Sequence, residues 1–253
     1  MFGLERRTVT TIKETLDPEE IFQLITQREW PYSVVYKEEY GCRDRAAMAM
    51  AFVTVGRVTE IFGGQKFKWS LDDNKAIAVG RHEGLKREHI ETTDNFIFIT
   101  NMPIVKRSDK VIVRYGRQVA LRDRMAVPLK RGLYDNVFYD QLVPFSWLIM
   151  EYLVKYAPEN GKLFGFQDAR AWQIIEHCTG MFPNWFRAQA DRFYGWFITR
   201  DSVKHSKFVG RVRAESSMPY IRYTWSDDLK EKSMAMNFDW INQQVEVIKR
   251  RIG

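Results

Sequence analysis

Two tyrosines, Tyr220 and Tyr223, stand three residues apart in SSMPYIRYTW, just after the basic stretch VGRVRAE. Upstream, FPNWFRAQ puts Asn184 and Arg187 three apart at an expected helix start, so both fall on one face. Free amides at a helix N-terminus and a guanidinium both donate to oxyanions, so this spacing suits a phosphate oxygen. Further up, the apolar run AAMAMAFVTVG delivers Arg57 immediately beyond Gly56. NMPIVKRSDK carries Lys106 and Arg107 out of an expected strand, and Arg211 follows Gly210. Taken singly each has a plain reading. An arginine at a helix junction caps carbonyls, a lysine at a hairpin is solvated, and a tyrosine is a half-buried phenol.

These residues depend on the elements that carry them. In LDPEEIFQLITQR, Asp17 suits an N-cap, Pro18 the first helical position and Glu20 the return arm of a capping box, with Ile21, Leu24 and Ile25 as the apolar stripe. A second helix is expected over about 43–56 and a short third from Arg57 to Phe62. The runs FIFIT, VIVRY and RMAVPL point to a small antiparallel sheet within about 94–129, whereas residues 64–93 fit no clear pattern. Helices return with QLVPFSWLIMEYLVKYA, with DARAWQIIEHCTG ending at a Gly180 C-cap, and with NWFRAQADRFYGWFITR entered at Pro183. The last, about 234–252, spaces Met234, Phe238, Ile241, Val245, Ile248 and Ile252 by threes and fours along one face. The fold class expected is mainly α with a small antiparallel β-sheet.

The whole chain bounds the possibilities. It has 253 residues, is 45% apolar and carries a formal net charge of +7, which permits a sizeable core and favours a polyanionic partner. Its two cysteines, Cys42 and Cys178, form neither a disulfide framework nor a metal motif, which suits a reducing compartment. The start lacks the apolar core of a signal peptide, and AAMAMAFV is too short to span a bilayer. A soluble, cytoplasmic protein is expected. No phosphate-binding glycine loop and no carboxylate cluster for two metals occurs, which agrees with an expectation of no cofactor and no metal.

Together, four segments in order resemble the catalytic domain of the tyrosine recombinase (phage integrase) family, over roughly Leu16 to Trp225. RDRAAMAMAFVTVGRVTEI looks like the segment with the family's first arginine, at Arg57, and FIFITNMPIVKR like the strand and hairpin with its lysine, at Lys106. FPNWFRAQ is similar to the His-x-x-Arg box, with Asn184 and Arg187. VGRVRAESSMPYIRY is similar to the glycine segment and nucleophile, with Arg211 and Tyr220; Tyr223 is the reserve. The likeness is nearest to integrases of archaeal viruses and plasmids. It implies a 16–233 catalytic domain after a 1–15 arm, and a 234–253 amphipathic helix packed in cis or docked in trans. A separate core-binding domain is not expected.

The resemblance implies a site-specific DNA recombinase, cutting and rejoining strands through a 3′-phosphotyrosyl link without metal or ATP. Tyr220 would attack the phosphodiester, Arg57 and Arg187 would hold its oxygens, Lys106 would protonate the leaving 5′-oxygen, and Asn184 and Arg211 would add donors. The implied partners are double-stranded DNA and further copies of the chain, dimer to tetramer, with no membrane. Lys86, Arg87, Arg107, Lys110, Lys204, Lys207 and Arg213, in the runs KREH, VKRSDK and KHSKFVGRVR, are expected on a basic DNA-facing surface, joined by RYGRQ and LRDR. Asn184 replaces the family's histidine, and Arg211 its histidine or tryptophan. Both still donate, but neither is a base at neutral pH. His177 and His205 lie near enough in sequence to substitute. A catalytically silent DNA-binding relative and a type IB topoisomerase-like enzyme are the alternatives.

Overall fold

Helix α2, Lys37–Thr54, forms the centre of the molecule. From Ala46 to Thr54 every residue is buried, so this helix is apolar on all sides. Its alanines let neighbours approach closely, and it packs against α1 (Pro18–Thr26), α3 (Val58–Phe62), α4 (Val143–Lys155), α5 (Asp168–Thr179) and α6 (Pro183–Phe193). Phe52 stacks on Phe145 of α4 at 4.6 Å and lies 6.0 Å from Phe193 of α6. The computed structural model describes residues 16–27, 37–70, 74–104, 122, 124–210, 217, 231, 234 and 237–253.

The fold is α+β. Strands β1 (Gly64–Ser70) and β2 (Lys75–His82) pair as an antiparallel hairpin with an irregularity at Lys66/Phe67. Strands β3 (Ile90–Thr92), β4 (Phe96–Ile99) and β5 (Met125–Pro128) form a separate antiparallel sheet in the order β3-β4-β5, with Ile90 opposite Ile99 and Ile97 opposite Val127. The sheet therefore starts earlier than expected, because Thr93 closes a tight turn by accepting from the Phe96 amide at 3.1 Å. The VIVRY run lies outside the described residues.

Local signals place most helices. Asp17 accepts from the Glu20 amide at 2.8 Å while Glu20 accepts from the Asp17 amide at 2.8 Å, the capping box its sequence announces. Gly180 ends α5 in the left-handed conformation. Helix α2 begins six residues before the expected Arg43: Glu38 and Glu39 favour its first turn, and Gly41 is tolerated inside it. The helix expected from Asn184 to Arg200 changes type midway. It is α-helical to Phe193 and π-helical over Tyr194–Thr199, a wider turn in which Tyr194, Gly195, Trp196 and Phe197 are all buried. Helix α7 is Ser202–Phe208, and the last helix, α8, is Asp239–Ile252. Ile241, Val245 and Ile248 are buried, and α8 packs on α4 of its own chain. Among the described residues no helix is long and apolar enough to cross a membrane.

Candidate functional site: an arginine cluster at the end of the central helix

Helix α2 must end with its last carbonyls unsatisfied. Three distant side chains supply the donors. Tyr194, in the π-turn, gives its hydroxyl proton to the Val53 carbonyl at 2.8 Å. Burial pushes this phenol well above its ordinary pKa, so it remains a donor. Arg122 donates through Nη1 to the Thr54 carbonyl. Arg187, on α6, donates through Nε to the Val55 carbonyl at 2.9 Å, across a separation of 132 residues. Val55 itself adopts a left-handed φ of 51°, uncommon for a β-branched residue, and so ends the helix sharply before Gly56 and Arg57.

Arg57 then stands as the N-cap of α3, and Glu60 lies at the third helical position. One oxygen of the Glu60 carboxylate accepts from Arg57 Nη1 at 2.7 Å. The other accepts from the Arg57 backbone amide at 2.8 Å and from Arg122 Nη2 at 3.0 Å. Glu60 is wholly buried. Burial alone would raise its carboxyl, but Arg122 and Arg57 outweigh burial and hold it below the usual carboxylate range. Arg122 shows the opposite balance. Desolvation pushes its guanidinium down to about 10, opposed by Glu60 and reinforced by the nearby charges of Arg187 and Arg57.

Behind Arg187 stands a second carboxylate. Asp191, one turn along α6, lies 4.0 Å from Arg187 Nη2 and meets His205 Nε2 of α7 at 2.6 Å. Both Asp191 and His205 are enclosed. His205 therefore supports the cluster from the interior and does not present an imidazole at its surface. His177 is exposed on the last turn of α5. Arg57 and Arg187 keep 22% and 14% of their side chains accessible, so each is only partly buried. Among the described residues, the guanidiniums of Arg57, Arg122 and Arg187 gather here against the carboxylates of Glu60 and Asp191, and guanidiniums suit an anionic group.

The sequence-nominated residues divide accordingly. Arg57 and Arg187 converge on the same helix end. Asn184 sits exposed in the first turn of α6. Gly210 and Ile104 also border the cluster: a Cβ on Gly210, at φ +71°, would fall 2.9 Å from Ile104 Cδ1 and 3.5 Å from Arg122 Nε. These two residues lead in sequence to Arg211 and Lys106. Lys106, Arg107, Lys110, Arg211, Arg213, Tyr220 and Tyr223 lie outside the described residues. Lys204 and Lys207 are exposed on α7. Lys86 is paired with Glu83 at 2.7 Å, and Arg87 donates to the Ile90 carbonyl at 2.9 Å.

The LRDR stretch departs from expectation. It reads as part of a basic surface, but Arg122 is buried in the cluster, and Arg124 pairs with Glu91 at 2.7 Å while lying over the Phe98 ring. Sequence reasoning also missed Glu60 and Asp191, because an isolated acid looks the same on a surface as beneath one. The signal for Glu60 was its place three residues after Arg57, directly before the apolar pair Ile61 and Phe62. No family model matches the chain, and neither does any curated protein or solved structure.

Proposed function

We propose that this chain is a tyrosine recombinase-type enzyme that cuts and rejoins DNA, with Arg57 and Arg187 holding the scissile phosphate and Tyr220 attacking it. The observation that carries the reading is the convergence of Arg57 and Arg187. Two arginines from separate sequence boxes meet at the end of α2, where Arg187 donates to the Val55 carbonyl and Arg57 to the Glu60 carboxylate, each with part of its side chain accessible. The mainly helical α+β architecture agrees with the family's catalytic domain, and that finer fold assignment belongs to the proposal.

The chemistry follows from charge. As the Tyr220 oxygen bonds to phosphorus and the 5′-oxygen leaves, negative charge builds on the non-bridging oxygens. Guanidiniums already fixed in place stabilise that charge without reorganising. Lys106 delivers a proton to the leaving oxygen, and the reverse step rejoins a strand, so the phosphate bond is conserved. A phenol with an ordinary pKa of about 10 needs neighbouring cations to ionise, and Arg211, which follows Gly210 in the sequence, suits that role. Double-stranded DNA is the substrate, and further copies of the chain on DNA are the working partners.

The test is covalent capture. Protein is mixed with supercoiled DNA carrying its attachment region and quenched with detergent. Wild type should leave protein-linked DNA, and Tyr220→Phe should abolish it while Tyr223→Phe does not. Arg57→Ala and Arg187→Ala should each reduce capture by about 10²–10³-fold. Loss only in Tyr223→Phe would move the nucleophile by one turn. DNA binding without capture in any variant would favour the silent DNA-binding relative, the reading that an exposed Asn184 in place of a histidine supports.

A further inference from the structure

Arg122 belongs to none of the segments that nominate the site, yet it is the most enclosed cation there, with 1% of its side chain accessible. A buried guanidinium is a costly choice where an apolar side chain of similar size would fill the space. Its bonds show what the charge is used for. Nη2 donates to Glu60 Oε2 at 3.0 Å and lies 3.4 Å from the Val55 carbonyl oxygen, while Nη1 donates to the Thr54 carbonyl. Glu60 holds Arg57, and the Val55 carbonyl holds Arg187. Arg122 thus touches both anchors of the two arginines and is itself enclosed.

We infer that Arg122 is a positioning residue, which fixes the spacing of Arg57 and Arg187 without touching the anion they bind. This rests on the reading of that pair as a phosphate site. Three donors on a planar fork are needed, since they reach a carboxylate and two consecutive carbonyls at once. A lysine in its place carries the same charge, but its compact ammonium on a flexible stem lacks the fixed planar spread that matches these acceptors. The left-handed Val55 makes the device necessary. Its carbonyl is set by a backbone conformation that a valine does not favour, so the acceptor for Arg187 stays in place only while its surroundings hold it.

The experiment uses inorganic phosphate as the probe and the arginine Nε–H resonances of the intact chain as the readout, with thermal melting alongside. Wild type should bind phosphate with shifts at Arg57 and Arg187, and Arg187→Ala should weaken binding about 10-fold or more. Arg122→Lys, which keeps the charge, should weaken phosphate binding by about 10-fold and accelerate solvent exchange of the Arg187 Nε–H. Arg122→Met should do at least as much. Ile248→Ala, a destabilised control in α8, should leave the phosphate affinity within about 2-fold of wild type while its melting temperature falls. Wild-type phosphate affinity in Arg122→Lys, with Arg187→Ala impaired, overturns the positioning role and leaves the phosphate site standing. Equal loss in Ile248→Ala reduces Arg122 to a stabilising residue. No phosphate response in wild type, or none lost in Arg187→Ala, overturns the phosphate site and the inference with it.

Discussion

Two buried glutamates sit between pairs of arginines in this molecule, and they use them differently. Glu60 divides its carboxylate: Arg57 Nη1 takes one oxygen, and the Arg57 amide and Arg122 share the other. Glu151, on α4, gives both oxygens to one fork, Arg251 Nε and Nη2 of α8, each at 2.8 Å, with Arg45 as the nearby second cation. The fork at Glu151 is closed, and it ties the last helix to the central layer. At Glu60 each guanidinium spends only part of its donors, so Arg57 retains some for a ligand. A bidentate pair makes a fastening, whereas a shared carboxylate makes a platform.

The sharpest way to break this comparison is Glu60→Gln. Removing one partner of a buried ion pair leaves uncompensated charge, here on two arginines, and should cost about 3–5 kcal/mol in a urea unfolding experiment at pH 7. The pH dependence follows from the direction of the shift. Because the folded state holds the Glu60 carboxyl below its unfolded value, its contribution is present above about pH 4.3 and disappears as pH falls through the lower folded value. The stability gap between wild type and Glu60→Gln should therefore narrow as pH falls below about 4. A gap that stays constant down to pH 2 would mean that Glu60 is not ionised beside its arginines.

Arg251→Ala should have a smaller effect, about 1 kcal/mol, because Arg251 is 39% accessible and Arg45 remains to compensate Glu151. The loss should be local. Amide exchange should accelerate along α8, while Arg57 and Arg187 resonances stay unchanged. Exchange spreading into α2 and α3 would show that the two carboxylates are energetically coupled, and the contrast between fastening and platform would then fail.

What could be read from the sequence follows from the range of the forces involved. Caps and apolar stripes act over four residues, so Asp17–Glu20, Gly180 and the Ile241–Val245–Ile248 face of α8 are legible locally. The FIFIT and RMAVPL strands also show, through alternation. The β1–β2 hairpin does not, because lysines interrupt its apolar positions and glycines sit at its ends. At the site, Arg57 and Arg187 could be nominated from their boxes, but nothing short of the fold brings Arg187 to the Val55 carbonyl, 132 residues away. Arg122, Glu60 and Asp191 were least legible of all. A buried charge differs from a solvated one only in what surrounds it, and those surroundings come from distant segments.

Arg122 and Arg124 make that point within one tetrapeptide, and Arg124→Ala is the smallest effect expected. Arg124 meets Glu91 of β3 at 2.7 Å, but both side chains are more than half exposed, so water and salt screen the pair. Its contact over Phe98, 3.7 Å from the guanidinium carbon to the ring centroid, adds a modest cation–π attraction. The change in unfolding free energy should stay within about 0.5 kcal/mol and shrink further in 1 M salt, where the screening length is about 3 Å. Arg122→Met, two residues earlier, should lose several-fold more and lose it regardless of salt, because ions do not reach a side chain 1% accessible. Equal, salt-sensitive losses at the two positions would place Arg122 on the same solvated surface as Arg124 and remove the platform beneath Arg57.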